Sequence, residues 1–578
     1  MKKILLLLSF ALIPLLLNAA ATDGTVIENL SEGTLLERVG GIESLNGIES
    51  LTISGRINGT DVLVIRGMHN LKAINLADAS IVEGGQPYYK SYTTKNNELG
   101  DYMLYDLGLE QAILPRDLTL IGQSSLSKNQ LSSIEIPEKV TRIGDYALAS
   151  NRLSDITFPP GLKDLKRSVL KDNKQLLKVT IPGSITEFPS DICRGCTSLK
   201  QLILEDGAED LYISLDYTDF EDCPLEYIYI GRNITGTNST LYSAFDHITT
   251  LKKAEFGNIT RIPSFLFFGC PKLAEFNLPG TLESIGDRAF TSSAIEKIVI
   301  PESVTYIGGH AFSDSDLREV DIKGPVRELP EYTFQYCDKL EKLTLPSTIS
   351  KIGKKCFAYS AIQEFRCPDD LVEIGSETFH GCDKLERVHF NDKLTHIGTR
   401  AFQKCSALKE VYLPESVTSI GSYSFSDCES LRVLSLPATL EKIEPTCITG
   451  SINIISLISH VVTPPTVTED FDTRVTENCT LYVPDESYAL YYLHQYWGKF
   501  RKIVKLSEYT GIDTVTRDST PFSTGNGKII IPEGNNKRFT IFNMQGQVIY
   551  DGIPTSEIEC GNGLFIIKTP GSSHKVRL

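Results

Sequence analysis

The chain has 578 residues and a formal net charge of -16 at pH 7. This length exceeds what one ordinary hydrophobic core serves, so we expect several domains or one long repetitive array. The negative charge argues against binding to nucleic acid or to an anionic lipid surface, because both would repel it.

Residues 1–21 have the pattern of a secretory signal peptide. Two lysines precede an apolar run from Ile4 to Leu17, and small residues follow, with cleavage expected after Ala20 or Ala21. The alternative is an anchoring helix, for which the run is short, since a membrane span takes about 20 apolar residues. We therefore predict an exported protein whose mature chain has no membrane span.

Residues 22–109 contain diverged, repeat-like segments such as LTISGRINGTDVLVIRG. A repeat array needs an atypical end unit to cover its first hydrophobic face, so this region predicts an N-terminal cap. The stretch 84–102, GGQPYYKSYTTKNNELGDY, breaks the pattern and predicts a projecting loop that carries Tyr88 and Tyr89.

From residue 110 to 458 the sequence repeats a unit of 22 or 23 residues. AFQKCSALKEVYLPESVTSIG at 401–421 recurs with the same spacing as SFSDCESLRVLSLPATLEKIE at 424–444. The aligned unit is close to L-x-x-[VIL]-x-[LIF]-P-x-x-[VIL]-T-x-I-G-x-x-A-F-x-x-C. Its length lies within the range of leucine-rich repeats.

Each recurring residue type in the unit has a structural role that explains why it recurs. The alternation in Val411-Tyr412-Leu413 is that of a short strand, which the following proline ends. A glycine then allows a tight corner, and the A-F pair turns a large ring inward, where burial contributes about 2–3 kcal/mol. Only stacked neighbours can bury these faces. We predict a leucine-rich-repeat solenoid: a curved right-handed array of short strands with turns or short helices, capping segments and a small all-β C-terminal domain.

Two side-chain slots of the unit predict its interior. The aromatic slot holds Phe290, Phe312, Phe334, Phe357, Phe379, Phe402 and Phe425. The cysteine slot holds, among others, Cys337, Cys382, Cys405 and Cys428. We expect the thiols to form a buried ladder of small apolar residues, with disulfide bonds between adjacent rungs as the alternative. Cys193 and Cys196 form a CxxC pair, but they occupy the aromatic and cysteine slots, which favours core filling over a redox or zinc site.

Residues 205–265 interrupt this rhythm and predict an irregular insertion. EDGAEDLYISLDYTDFEDC is acidic and rich in tyrosine, and LEYIYIGRNITG follows with Tyr227 and Tyr229. The carboxylates match no defined calcium loop, which favours a solvated acidic face over a calcium site. Insertions on one face of a solenoid often form its recognition surface.

Residues 459–506 predict a C-terminal cap. We expect a final strand at Thr480–Val483 and then a short helix that carries Tyr491, Tyr492 and Trp497 onto the last open coil. The alternative is that these rings form an aromatic ligand platform.

Residues 507–525 are a polar linker rich in threonine and serine. Residues 526–578 contain short alternating strands separated by glycine-bearing turns, which predicts a small β domain.

The repeat pattern closely resembles the BspA-like leucine-rich-repeat surface proteins of Bacteroidetes over more than half of the chain. The blocks LEYIYIGRNITG and LTISGRINGTDVLVIRGMHNLKAINLADA are also similar to that family. TIFNMQGQVIYDG and GNGLFIIKT resemble the C-terminal sorting domain read by the type IX secretion system. The resemblance implies adhesion to host matrix proteins, host cells or other bacteria.

The sequence contains no motif of a catalytic, phosphate-binding, dinucleotide-binding or metalloprotease site. We therefore expect no enzyme activity, no cofactor and no metal. The predicted function is that of a secreted or outer-surface binding protein with a protein partner. The alternative is a glycan-capture module in which exposed tyrosines, Tyr88, Tyr89, Tyr227 and Tyr229, stack on sugars. A spacer that displays another module is weakened because no other large domain is present.

Overall fold

The computed structural model of the chain describes residues 24–214, 220, 222–236, 245–509, 523–525, 528–530, 539–543, 547–552, 557–559, 564–569 and 572–577. It divides into two compact units, a first of Met1–Gln363 with Pro368–Cys382 and a second of Glu364–Cys367 with Asp383–Leu578. In each unit the repeats form a parallel β-solenoid of stacked coils. The predicted signal peptide, 1–21, and most of the predicted linker, 507–525, lie outside the described residues.

The first unit begins with strands and short helices that precede the regular repeats. These are the strands Thr25–Leu30, Ser50–Ile57, Ala73–Asn75 and Ala79–Ile81, the α-helices Leu35–Arg38 and Gly59–Arg66, and the 3-10 helix Ile42–Gly47. The parallel sheet of this region continues into Gln111–Ile113. Asn58 begins the second α-helix with a capping box, in which its side chain accepts from Thr60 N at 2.9 Å and Asp61 accepts from Asn58 N at 3.0 Å.

The stretch 84–102 is a hairpin for the most part, so the prediction of a projecting loop is wrong. Strands Gly84–Tyr89 and Tyr92–Thr94 pair antiparallel. Gln86 N donates to Thr60 Oγ1 at 3.0 Å, which ties the hairpin to the preceding α-helix. Pairing within the segment satisfies backbone groups that a free loop would leave to water.

The coils of the first unit stack through parallel pairing of long strands with long strands and of short strands with short strands, in several separate sheets. The long strands are Gln111–Ile113, Lys178–Ile181, Gln201–Leu204, Tyr227–Ile230, Lys253–Phe256, Glu275–Phe276, Lys297–Ile300, Glu319–Ile322 and Lys342–Thr344. The short strands are Glu98–Leu99, Leu120–Ile121, Arg142–Ile143, Asp164–Leu165, Leu211–Tyr212, Ile234–Thr235, Arg261–Ile262, Ser284–Ile285, Tyr306–Ile307, Glu328–Leu329, Lys351–Ile352 and Glu373–Ile374. In the long strands buried residues alternate with half-buried or exposed ones, because successive side chains point to opposite faces.

The described part of 205–265 continues this pairing, which corrects the prediction of an irregular insertion. Gln201 pairs in register with Tyr227, and Tyr227 pairs with Lys253. These steps along the chain are longer than the step from Lys253 to Glu275. The extra residues leave the strand pairing intact, because a longer connection between two stacked strands does not change their register.

The second unit contains the remaining coils and residues 459–506, for which the sequence predicts a C-terminal cap. Its long strands are Glu364–Arg366, Arg387–His389, Glu410–Tyr412, Val433–Leu436, Ser456–Ser459, Thr480–Val483 and Lys502–Lys505, and its short strands are His396–Ile397, Ser419–Ile420 and Lys442–Ile443. Its helices are the α-helices Thr473–Asn478 and Tyr488–Leu493 and the 3-10 helices Pro445–Ile448, Asp485–Ser487, Trp497–Lys499 and Leu506–Glu508. Thr480–Val483 is a strand as predicted but not the final one, because Lys502–Lys505 pairs beside it.

Residues beyond 522 contribute two antiparallel sheets, in agreement with the predicted all-β character, although the strand Ser523–Gly525 lies within the predicted linker, 507–525. One contains Ser523–Gly525, Lys528–Ile530 and Glu557–Glu559. The other contains Phe539–Asn543, Val548–Gly552, Leu564–Thr569 and Ser572–Arg577.

Most of the coils that the structure describes also contain five residues centred on the aromatic slot, and we call the stack of these segments the turn column. Phe290 N donates to Ala311 O at 2.8 Å and Ser292 N donates to Ser313 O at 2.9 Å, both toward the next coil. The residues two before and two after the slot have positive φ, 55° at Arg288 and 58° at Ser292. Arg288 N likewise donates to Gly309 O at 2.9 Å, so the N–H groups of every second residue point toward the next coil. The peptide dipoles of the turn column therefore add, as they do in an α-helix.

The phenylalanines of the aromatic slot form stacked rows in the interior. In the first unit the ring centroids of Phe290 and Phe312 lie 5.6 Å apart at an interplanar angle of 3°. In the second unit those of Phe402 and Phe425 lie 5.3 Å apart at 4°. All seven rings named from the sequence are fully buried: Phe290, Phe312, Phe334, Phe357, Phe379, Phe402 and Phe425.

The cysteine slot is buried, but the prediction of a purely apolar ladder needs correction. Cys337, Cys382, Cys405 and Cys428 all lie in the interior. Cys337 Sγ donates to Phe312 O of the preceding coil at 3.2 Å, and Cys382 Sγ donates to Phe357 O at 3.1 Å. The slot therefore supplies a hydrogen-bond donor to a buried carbonyl. Cys337 and Cys428 are free thiols and not members of disulfide bonds.

Candidate binding surfaces

Tyr88 is buried, with 3% of its surface exposed, so its predicted role as an exposed ligand contact is wrong. Its hydroxyl donates to Asp101 O at 2.9 Å. Asp101 belongs to the first coil of the turn column. In later coils the carbonyl at this position accepts from the coil before it, as Asp145 O accepts from Ser124 N at 2.8 Å. The Tyr88 hydroxyl therefore takes the place of the N–H donor that a preceding coil would supply.

Arg66 completes the same end of the turn column. One guanidinium nitrogen, Nη1, donates to Tyr102 O at 2.9 Å, Met103 O at 3.3 Å and Tyr105 O at 3.1 Å. Asp101, Met103 and Tyr105 occupy the positions whose carbonyls accept from a preceding coil elsewhere in the array. A cation at the carbonyl end of aligned peptides also complements their dipole.

Tyr89 is half-buried in a cluster of four tyrosines. Its ring stacks on Tyr102 with centroids 5.1 Å apart, and Tyr105 and Tyr92 contact the same group. The guanidinium of Arg66 lies 4.8 Å from the centroid of the Tyr89 ring. The Tyr89 ring, which the sequence analysis predicted to contact a ligand, is therefore contacted by Tyr102 and Arg66.

Tyr227 and Tyr229 lie together on the outward side of the long strand Tyr227–Ile230, where both are half-buried and not fully exposed as predicted. The Tyr227 hydroxyl donates to Glu255 Oε2 at 2.7 Å, and the Tyr229 hydroxyl donates to Asp206 Oδ1 at 2.9 Å. Lys253 Nζ lies 2.7 Å from Glu255 Oε1. We call these five residues the tyrosine–carboxylate patch. The structure thus brings two of the four predicted contact residues together with two carboxylates.

The charge states of Glu255, Tyr227 and Tyr229 are fixed near neutral pH. The Lys253 ammonium and the Tyr227 hydroxyl hold the pKa of the Glu255 carboxyl below its ordinary value, so it is an anion. Burial, together with Asp206, raises the pKa of Tyr229 to about 12, so its hydroxyl remains a donor. The pKa of Tyr227 is raised as well, first by burial and then by Glu255.

The sequence analysis did not find a stacked pair of exposed tyrosines. Tyr336 and Tyr359 stack with centroids 5.0 Å apart, and 49% and 39% of their surfaces are exposed. Each lies two residues after the aromatic slot and has positive φ, 60° and 62°. Their recurrence at one repeat position is a signal that alignment of the repeats could have shown.

The aromatic residues of the C-terminal cap differ in exposure. Tyr491 and Trp497 are fully buried, and they donate to Val461 O at 2.9 Å and to Pro465 O at 3.0 Å. These contacts fit a cap and not a ligand platform. The expectation that Tyr492 also packs onto the last coil is wrong, because 60% of its surface is exposed.

The described residues hold no group of three or more His, Cys, Asp or Glu side chains arranged to bind a metal ion. Over the same part of the chain, no helix is both long and apolar enough to cross a membrane.

Comparison with known families decides the identity of the repeats. The family described as BspA type leucine rich repeat region matches residues 97–215, 213–341 and 327–455, with six copies. The chain belongs to the BspA-type leucine-rich-repeat family. This membership covers more than half of the sequence and includes the segment 205–265, which had been predicted to interrupt the repeats. No curated protein matches the chain in sequence.

Several solved structures are similar to this BspA-type chain. A leucine-rich repeat protein from Bacteroides ovatus is 22% identical, with 68% of this chain and 80% of that one covered and a TM-score of 0.29. A leucine rich cell surface protein from Faecalibacterium prausnitzii is 20% identical over 53% and 86%, with a TM-score of 0.32. The pneumococcal vaccine antigen PcpA is 15% identical over 67% and 84%, with a TM-score of 0.32.

Proposed function

We propose that this chain is an exported, non-catalytic binding protein of the cell surface, which presents its repeats to a protein partner. The partner belongs to a host matrix, a host cell or another bacterium. The observation that carries the proposal is the register of the long strands. Pairs such as Lys178 with Gln201 and Gln201 with Tyr227 align outward side chains in rows from coil to coil. Rows of this kind suit a broad partner better than a small substrate.

Ion pairs between coils support the proposal because they fix the side chains of this face. Glu226 contacts Lys252 at 2.8 Å and Lys200 at 3.1 Å, so three adjacent coils share one carboxylate. Lys297 contacts Glu319 at 3.2 Å in the same manner. Exposed pairs add little stability. They do reduce the ordering that side chains undergo on binding, which favours association.

The two ends of the sequence support export. Residues 1–21 read as a signal peptide, and the last strands fall within the segment that resembles a type IX sorting domain. We propose that the C-terminal module directs the chain to the outer surface and that either cleavage or anchoring follows.

Fractionation of the native organism with mass spectrometry of the mature termini tests the export part. We expect the protein in the outer-surface or secreted fraction, with an N-terminus at Ala21 or Thr22. A cytoplasmic protein that retains Met1 contradicts it. Capture of matrix proteins by the purified chain tests the binding part, and saturable binding to at least one of them is the expected result.

A second candidate function, glycan capture, is favoured by one specific observation. The tyrosine–carboxylate patch combines fixed aromatic rings with hydrogen-bonding carboxylates, which is the arrangement that sugar binding requires. Binding to glycans without binding to any protein would favour this candidate over the first.

A further inference from the structure

The Tyr227 ring lies along the sheet. Tyr227 pairs in register with Lys253, and Tyr229 pairs with Glu255. The Tyr227 hydroxyl nevertheless reaches Glu255, so its ring crosses diagonally from its own strand to the next. Diagonal neighbours on a sheet are about 7–8 Å apart, a distance that one tyrosine side chain spans only when it lies flat. The ring is half-buried, and Lys253 Nζ lies over it, 5.8 Å from its centroid.

Two glycines let Tyr229 and Asp206 lie low at the ends of the strands. A Cβ added at Gly257 would come within 2.8 Å of the Tyr229 hydroxyl oxygen and 2.6 Å of Asp206 Oδ1. A Cβ at Gly231 would also come within 2.6 Å of Asp206 Oδ1. Any larger residue at these positions would displace the carboxylate or the hydroxyl. The glycines thus form the floor of the tyrosine–carboxylate patch.

The patch offers two kinds of contact at fixed positions. The exposed part of the Tyr227 ring, beside the Lys253 ammonium, provides apolar atoms that pack against the C–H face of a sugar ring. Asp206 and Glu255 provide oxygen atoms with lone pairs beyond those used by the tyrosines, since a carboxylate has about four acceptor sites. Sugar hydroxyls are the donors that match them.

We propose that the tyrosine–carboxylate patch binds a neutral pyranose unit of a glycan, with the sugar face on Tyr227 and its hydroxyls donating to Glu255 and Asp206. This inference deepens the glycan-capture candidate and rests on the proposed role as an exported binding protein. It assigns the ligand class and the polar partners.

Charge selects a neutral sugar over an acidic one. Asp206 and Glu255 are both acidic, and the exposed Glu205 lies next to Asp206 in the chain. Lys253 is the cation of the patch, and it contacts Glu255 at 2.7 Å. A uronic or sialic acid carboxylate would meet a surface of net negative charge, and the two would repel each other.

The test is a glycan array of neutral, sialylated and sulfated oligosaccharides, probed with the full chain after export. We expect signal on neutral glycans and at least a tenfold loss in Tyr227→Ala and in Tyr229→Ala. Tyr336→Ala is the matched control, since it removes an exposed tyrosine outside the patch, and its signal should equal that of the unmodified chain. Glu255→Gln keeps the shape and removes the charge, and weaker binding is expected.

Circular dichroism of each variant establishes that the chain is folded before the comparison. Absence of signal on neutral glycans, signal on acidic glycans alone, or equal signal from the Tyr227 and Tyr229 variants and the unmodified chain overturns the inference. The same preparations are also applied to immobilised matrix proteins. Protein binding that survives Tyr227→Ala retains the proposed function even when the glycan assignment fails.

Discussion

At the scale of single residues, the cysteine slot shows how one hydrogen bond selects several residue types. In the earliest coils the slot holds Asn129, Asn151 and Asn173, all buried. Asn151 Nδ2 donates to Leu126 O at 3.0 Å, in the manner of the later thiols. Because the amide is larger, its oxygen also accepts from a backbone N–H, as Asn129 Oδ1 does from Leu109 N at 3.0 Å. Asparagine and cysteine therefore meet the same requirement, since each supplies a hydrogen-bond donor to a buried carbonyl of the preceding coil.

Substitution of Cys337 distinguishes hydrogen bonding from apolar filling. Cys337→Ala leaves Phe312 O without its thiol donor and opens a small cavity, so we expect about 2 kcal/mol less unfolding free energy. Cys337→Ser retains a donor and should cost about 1 kcal/mol or less. Urea unfolding followed by circular dichroism measures both. If serine is as destabilising as alanine, the slot is only a packing site.

The sequence predicted which residues occupy the aromatic and cysteine slots, but not that the cysteine slot donates a hydrogen bond to the preceding coil. Phe312 and Cys337 recur with fixed spacing, and periodicity reports burial. The donor role depends on a carbonyl in another coil, which spacing within one repeat does not show. The asparagine rungs were missed because their coils place Leu126, Leu148 and Leu170 in the aromatic slot, so LSKNQL and LASNRL do not resemble the A-F-x-x-C pattern.

At the scale of elements, the end of the turn column in the first unit depends on Arg66 and Tyr88. A solenoid's first coil exposes backbone groups that later coils satisfy from their neighbours, and exposed strand edges also invite aggregation. The sequence predicted a cap at 22–109 but assigned Tyr88 to a ligand. Tyr88 is buried where its hydroxyl donates to Asp101 O. The residue pattern around Tyr88 does not show that its side chain turns toward the first coil.

Removal of Arg66 should loosen the first coil and leave distant coils unchanged. Arg66→Met deprives three carbonyls of a charged donor, and we expect local opening to become easier by about 2 kcal/mol. Hydrogen exchange of peptides covering 98–113 should accelerate by roughly tenfold or more, while peptides covering 330–345 keep their rates. Arg56→Met is the control, because Arg56 is exposed and contacts only Glu32 among its described ion pairs. Uniform acceleration along the first unit would contradict the local cap.

In the second unit an anion lies at the N–H end of the turn column. Gly450 N donates to Asp472 Oδ2 at 3.1 Å, and 8% of the Asp472 side chain is exposed. The Arg474 guanidinium and the Gly450 N–H together lower the pKa of Asp472 to about 2. A carboxylate at this end complements the aligned N–H dipoles, as one does at the N-terminus of a helix.

The stability supplied by Asp472 should depend on pH with a defined sign. A lowered folded-state pKa means that the contribution is complete above about pH 4 and is lost as the pH falls to about 2. Asp472→Asn should therefore cost about 2 kcal/mol at pH 7 and very little at pH 2. Urea unfolding across this range measures the difference between the two proteins. Asp470→Asn is the control, an exposed carboxylate expected to change stability by less than about 0.5 kcal/mol; an equal loss at pH 7 would contradict the cap.

At the scale of the whole molecule, the repeat is the part of the fold that sequence predicts best. Every coil must stack on its neighbours in the same way. Proline, phenylalanine and the corner glycine therefore recur at a fixed period that is visible in the sequence. Segment 205–265 was wrongly predicted to be an irregular insertion, because its longer connections obscure the repeat spacing in the sequence although the strands remain paired in register. The tyrosine–carboxylate patch was predicted only in part, since Tyr227 and Tyr229 are close in sequence whereas Asp206 and Glu255 belong to other coils.

Removal of one whole coil should leave a folded solenoid. Deletion of residues 290–311 joins Ala289 to Phe312, a residue that stacks on Phe290 in the intact chain and fills the same slot. The long strand Glu319–Ile322 then takes the place of Lys297–Ile300, with which it pairs residue for residue. Because coil stability in a solenoid is set by nearest neighbours, we expect a cooperative thermal transition and an unchanged circular dichroism spectrum.

Deletion of half a coil, residues 290–300, is the matched comparison. It joins Ala289 to Pro301, so a proline and not a ring enters the aromatic slot and the following strands lose their register. We expect this variant to aggregate or to unfold at a much lower temperature than the whole-coil deletion. Equal behaviour of the two variants would mean that the stacking interval is not one coil, and the account of the turn column and its slots would fail with it.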